Sequence, residues 1–174
     1  MKWTTSLGTA LLITPIVSHA TIYLTTEQVK QVIFPNQMLI KENIQLKPEQ
    51  IKQLKQISGI DSALKTDQIF KTKEGDWLII DQVIGKHEMI TYAVGIHANG
   101  SIKQIEVMQY TETYGDQVRN ASWRDQFVGK TASSALTLGK DIKNISGATL
   151  SSKHLTDGVH RAMALYAMEL KSLK

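Results

Sequence analysis

Residues 77–110 read WLIIDQVIGKHEMITYAVGIHANGSIKQIEVMQY, and this stretch decides the fold. Three runs rich in Ile, Val, Tyr and Trp, namely Trp77 to Ile84, Met89 to His97 and Ser101 to Tyr110, are divided by Gly85-Lys86 and Asn99-Gly100. β-branched and aromatic side chains suit a pleated surface, and glycine-bearing pairs punctuate it. A fourth run, Gln68 to Thr72, precedes them across Glu74-Gly75-Asp76. The pattern predicts an antiparallel meander. Asn99-Gly100 is its strongest turn signal. A two-residue type I′ turn needs positive φ at both central positions, which Asn and Gly tolerate, so the last two strands are expected to form a tight hairpin.

Downstream the period changes. A short helical piece is expected around Ala121 to Val128, followed by a Ser/Thr/Gly-rich connection from Lys130 to Gly139. A final helix then carries Leu155, Val159, Ala162, Met163, Tyr166 and Leu170 at helical spacing, with Lys171 and Lys174 suited to the negative end of its dipole. Upstream, Thr25-Thr26-Glu27 starts a helix ending near Phe34-Pro35. Pro48 stands at the first turn of another, whose Ile51, Leu54 and Ile57 mark one apolar face and whose end is Gly59. Strands followed by a packed helix make an α+β domain. The expected division is a signal peptide over 1–20, an N-terminal helical cap over 21–66 that packs on the main domain or serves as a partner-docking arm, and the main domain over 67–174.

The leader reading rests on MKWTTSLGTALLITPIVSHA: Lys2, an apolar run from Leu7 to Val17, and Ser18-His19-Ala20 with small residues at both specificity positions. The run is shorter than the ~20 residues a spanning helix needs and contains Pro15. The mature chain is therefore expected to begin near Thr21 as a soluble, periplasmic or otherwise extracytoplasmic protein. With 174 residues, 42% of them hydrophobic, the chain can build a core of its own. Its net charge of +4 comes from lysines spread along the chain and largely balanced by acids, which argues against a nucleic-acid face. The absence of cysteine excludes disulfides, thiolate zinc sites, iron-sulfur clusters, CxxCH haem attachment and an N-terminal lipid anchor. His154 and His160 are six apart and share no helix face, so no metal site is expected.

Chemistry concentrates in Ser146-Gly147-Ala148-Thr149-Leu150-Ser151-Ser152, just before the final helix. Read alone, these hydroxyls are most simply N-caps. The same stretch also has the makings of an anion site, because a helix start offers unpaired N–H groups and a partial positive charge. Gly147 and Ala148 allow close backbone approach, and the Thr149 hydroxyl is a candidate attachment point.

The run Ile145 to Ser152 closely resembles the flavinylation motif of the FMN-binding domain family, which includes the FMN-bearing subunits of the sodium-pumping NADH:quinone oxidoreductase and of the Rnf complex. Tyr110-Thr111-Glu112-Thr113-Tyr114-Gly115 looks like the family's Glu-Thr-x-Gly segment, and Trp123 to Lys130 like its Trp-x-x-Gln-Phe-x-Gly-Lys segment, in the family's order and spacing. The similarity covers roughly residues 76–164. It implies that Thr149 carries FMN through a phosphoester, transferred from FAD by a flavin transferase, with Ser146, Gly147, Ala148, Leu150, Ser151 and Ser152 around it. It further implies that Glu112 and Thr113 hydrogen-bond the cofactor; the plainer reading is a polar strand end. Trp123 with Phe127 would flank the ring or pack in the core, and Lys130 or Arg124 would offset the charge of the reduced cofactor or simply be solvated. Two departures stand out: Lys143 occupies the position six before the acceptor where the family usually has Asp, and Tyr114 replaces a usual Pro.

The expected function is an exported electron carrier that serves a membrane-bound redox partner, without spanning the membrane itself once the leader is removed. The alternatives are a flavin-dependent reductase acting directly on a small acceptor and a non-redox exported binding or assembly module.

Overall fold

A computed structural model describes residues 21–112 and 114–173. The expected leader, Thr113 and Lys174 lie outside these. Six strands form one antiparallel sheet: β1 (Thr21–Ile22), β2 (Leu39–Glu42), β3 (Ile69–Thr72), β4 (Trp77–Ile84), β5 (Met89–Ile96) and β6 (Ile102–Tyr110). Their order is β1-β6-β5-β4-β3-β2. The helices are α1 (Thr26–Ile33), α2 (Pro48–Ser58), a short α3 (Ala121–Arg124) continued by a 3-10 turn to Phe127, and the long α4 (Thr149–Met168). The α+β reading and the meander are borne out. So is the stripe on α4, whose Leu155, Val159, Ala162, Met163 and Tyr166 are buried, with Leu170 buried just beyond the helix end.

Strands β4 and β5 are buried almost throughout because helices cover both faces of the sheet. Ile79, Val83, Ile90, Tyr92 and Val94 face α4, whereas Leu78, Ile80, Ala93 and Met108 meet Val29, Ile33 and Phe34 of α1 and its end. Two glycines make these approaches possible. A Cβ on Gly95 would overlap Ile33 Cγ2, and one on Gly158 would lie 2.7 Å from the Tyr92 hydroxyl and 2.9 Å from Val83 Cγ1.

A buried polar knot fixes α4 along the sheet. Arg161, 2% exposed, donates to Asp81 Oδ2 at 2.6 Å, to Ser62 O at 2.7 Å and to Gln82 O at 3.0 Å. Tyr92 donates to the same Asp81 oxygen at 3.0 Å. Burial foremost, then the Asp81 charge, pushes the Tyr92 phenol well above its ordinary pKa and keeps it protonated as a donor.

Three expectations change. The β5–β6 connection is not a two-residue type I′ turn: among the described residues Asn99 is absent from those with positive φ, and only Gly100, at φ 87, is left-handed. The Gly100 amide donates to His97 O and the His97 amide to Ser101 O, each at 2.8 Å, giving a three-residue loop with the left-handed residue last. Gly100 also lies beneath Tyr166, where a Cβ would approach to 2.9 Å. Second, the N-terminal segment is more than helical: β2 pairs with β3, and β1 with β6. The carbonyl of Met108 accepts from Tyr23 and Leu24, which ties the chain entry to the sheet. Third, α2 buries Leu54 and Ser58 but leaves Ile51 and Ile57 exposed, so its buried face is narrower than the apolar spacing suggested.

Gly158→Ala is expected to lower stability by about 1–2 kcal/mol. Overpacking against a hydrogen-bonded Tyr92 outweighs the ~1 kcal/mol gained in helix propensity. Denaturant unfolding checks this, and a gain in stability would show that α4 is not held at close range.

Candidate functional site

The heptad lies where the sequence placed it, at the start of α4. Gly147 is left-handed at φ 84, which turns the chain so that Thr149 becomes the first helical residue. Ala148 occupies the cap position, no side chain caps the helix, and its first turn holds no acid. The leading amides therefore face the cleft with their partial positive charge uncompensated. Thr149 is exposed, and its Oγ1 accepts from Asn144 Nδ2 at 3.0 Å.

Around this helix start lies an open cleft of about 600 Å³, whose walls include Lys86, His87, Glu112, Tyr114 and Leu150. Lys86 and His87 belong to the β4–β5 turn, which is fastened from two sides. Glu112 Oε1 accepts from the amides of His87 and Glu88, the latter at 3.0 Å. Gly85 O accepts from His154 Nδ1 at 2.8 Å, which requires that ring nitrogen to carry the hydrogen. Burial alone would raise the Glu112 pKa, but the amides of Glu88, His87 and Lys86 outweigh it and hold the carboxyl below its ordinary value.

The other sequence candidates divide. Ser151 reaches the cleft wall, yet its hydroxyl is buried and pairs with the Tyr110 hydroxyl at 2.9 Å. Ser152 is buried and donates to Ala148 O at 2.9 Å. Ser146 is exposed and is not among the cleft-lining residues. Trp123 and Phe127 meet edge-to-face in the core at 5.3 Å, away from the cleft. Lys130 pairs with Asp141 at 3.1 Å, and Arg124 with Glu106.

The Trp-x-x-Gln segment has a different use, because its two polar side chains grip one residue of the loop that leads into α4. Trp123 Nε1 donates to Lys143 O at 2.7 Å, and the Lys143 amide donates to Gln126 Oε1 at 2.8 Å. The grip holds backbone only, so it is indifferent to the Lys143 side chain, which is exposed. Lys86, His87 and Asn144 escaped the sequence reading. In the sequence Lys86 reads only as turn punctuation and His87 is not singled out, and only the fold brings that turn to the helix start.

An uncapped helix start, two basic residues and an accessible hydroxyl together suit an anionic ligand beside Thr149. Residues 85–164 match the model of the FMN-binding domain family, so the resemblance expected from the three motifs is borne out. Over 81 aligned positions the chain is 35% identical to one of the subunits that make up the Na(+)-translocating ferredoxin:NAD(+) oxidoreductase complex of Acetobacterium woodii. The alignment takes in 41% of this chain and 39% of that relative's length. The cleft fits such a cofactor. Its volume is in the range of small-molecule sites, about 300–1,000 Å³. The amides of α4 with Lys86 and His87 suit the phosphate, and Leu150 and Tyr114 offer apolar surface for the ring.

Two outcomes test this geometry. Trp123→Phe keeps the ring but loses its N–H, and is expected to cost about 1 kcal/mol and speed amide exchange over residues 142–148; unchanged exchange would mean the grip holds nothing. Glu112 has a depressed pKa, so its stabilisation of the β4–β5 turn is complete above the ordinary carboxylate value and fades as pH falls through the lowered one. Exchange at His87 and Glu88 should accelerate in that acid window, and Glu112→Gln should remove the pH dependence.

Proposed function

We propose that this chain is an exported electron-transfer flavoprotein. In this reading FMN, joined by a phosphoester to Thr149, relays electrons between a membrane-bound reductase and an extracytoplasmic acceptor. The observation that carries the reading is the uncapped start of α4, with an exposed Thr149 hydroxyl facing a cleft lined by Lys86 and His87, inside the segment that matches the family. The relative's membership of a ferredoxin:NAD(+) oxidoreductase complex supports an electron-transfer role. Export rests on the expected leader over 1–20. Among the described residues no helix is long and apolar enough to cross a membrane. The 21–66 segment is proposed to complete the 67–174 flavin domain, to which it adds both edge strands.

In the attachment step, Thr149 Oγ bonds to the flavin-side phosphorus of FAD, the pyrophosphate P–O bond breaks, AMP leaves and the hydroxyl proton is released, with a flavin transferase as catalyst. Asn144 fixes the position of Oγ1 through its 3.0 Å hydrogen bond. The helix amides and the Lys86–His87 turn then offset the phosphate charge, each helix-end contribution being about 0.3–1 kcal/mol. When bound, FMN supplies two-electron acceptance and single-electron release. The protein contributes orientation, and a covalent anchor relieves it of the need for a deep pocket.

Protein made alongside a flavin transferase should show flavin fluorescence in its denaturing-gel band, and Thr149→Ala should lose it. A fluorescent Thr149→Ala band, or a dark wild-type band, would overturn the attachment. The loaded wild type should also be reduced anaerobically by a low-potential donor and reoxidised by an electron acceptor without consuming any other substrate. Failure of every such pair would overturn the relay.

A further inference from the structure

The cleft carries an aromatic ring on a fixed mount. The Tyr114 side chain is 82% exposed, yet its backbone is tightly held: Tyr110 donates its hydroxyl hydrogen to Tyr114 O at 2.5 Å, and the same phenol pairs with Ser151 in the first turn of α4. The next residue, Gly115, is left-handed at φ 97. A Cβ there would lie 2.5 Å from the Tyr110 hydroxyl and 2.8 Å from Ser151 Oγ. The peptide after Tyr114 is thus bolted to the helix that bears Thr149, while the ring itself stands free at the cleft. Leu150, next to the anchor, is 44% exposed and lines the same cleft. Among the described residues the other large aromatics within the motifs, Tyr110, Trp123 and Phe127, are occupied in the core.

Exposed Tyr and Leu beside one concave surface have most to gain from a flat apolar ligand, and a Tyr with a fixed backbone loses little entropy on contact. We infer that Tyr114 is the stacking surface for the isoalloxazine of FMN held at Thr149, with Leu150 as a second apolar contact. This rests on the flavin reading above and goes beyond it by naming the residue that positions the ring.

A phenol stacked on an excited flavin quenches its emission by reversible electron donation, which provides a readout separate from turnover. The test compares flavin-loaded wild type, Tyr114→Ala, Tyr114→Trp and Leu150→Ala, each measured native and then denatured in the same cuvette. Wild type should be dim when native and brighten several-fold on denaturation. Tyr114→Ala should already be bright when native, Tyr114→Trp should be dim again, and Leu150→Ala should fall between. Tyr114 makes no side-chain contact the fold needs, so these variants should fold. A labelled Tyr114→Ala protein whose native emission equals that of wild type would overturn the stacking alone. Protein without flavin in the denatured band would overturn the attachment, and the stacking with it.

Discussion

The contact on which the rest of the structure depends is the one that stops α4 from sliding on the sheet. Arg161 reaches Asp81 in β4, and Gly158, three residues earlier, lets the helix settle against Tyr92 and Val83. Apolar burial along α4 supplies most of the attraction, but it is non-directional and tolerates displacement. The ion pair does not tolerate it. Loss of either partner would leave a buried charge, at a cost of about 3–5 kcal/mol. Thr149 lies twelve residues before Arg161, about 18 Å along the helix, so the knot at Arg161 determines where the helix start projects from the sheet.

That projection creates the site. At the sheet end where α4 begins, the β4–β5 turn and the connection after β6 come together, and each is fastened to the helix. His154 holds Gly85 O, Ser151 holds Tyr110, and Tyr110 holds Tyr114 O. The loop that leads into α4 is gripped from behind by Trp123 and Gln126. The cleft is therefore a meeting point of locally rigid pieces that presents helix amides, the exposed Thr149 hydroxyl positioned by Asn144, two basic residues and one free aromatic ring. Such an open surface would hold a freely dissociating cofactor weakly, which fits the proposal of a covalent anchor.

The central strands were legible in the sequence because their β-branched runs are bounded by glycine-bearing turns, and α4 because its apolar residues recur at helical spacing. The helix start was legible in Gly147 and the hydroxyl run. What escaped depended on contacts between segments distant in sequence. Lys86 looked like a turn residue, and its neighbour His87 like nothing in particular, until the fold brought them to the start of α4. Gly95 and Gly158 serve close approach across the sheet, which no local pattern records. Trp123 drew attention as a large aromatic near the motifs, yet its indole holds the Lys143 carbonyl while the smaller and more exposed Tyr114 faces the cleft. β1 and β2 are too short to announce themselves, and they exist because β6 and β3 offer them an edge. The Asn99-Gly100 turn took its three-residue form because the register of β5 and β6 leaves Ala98 in the loop.

The first residue of α4 is the proposed carrier of the flavin, and the roles of the cleft, the grip on Lys143 and the Tyr114 ring all follow from that placement. Peptide mapping by mass spectrometry, on protein produced alongside a flavin transferase, tests it most directly. The peptide spanning Asn144 to Lys153 should gain the mass of FMN less one water, with fragment ions placing it on Thr149. An unmodified peptide, or a modification localised to Ser146 or Ser151, would contradict it.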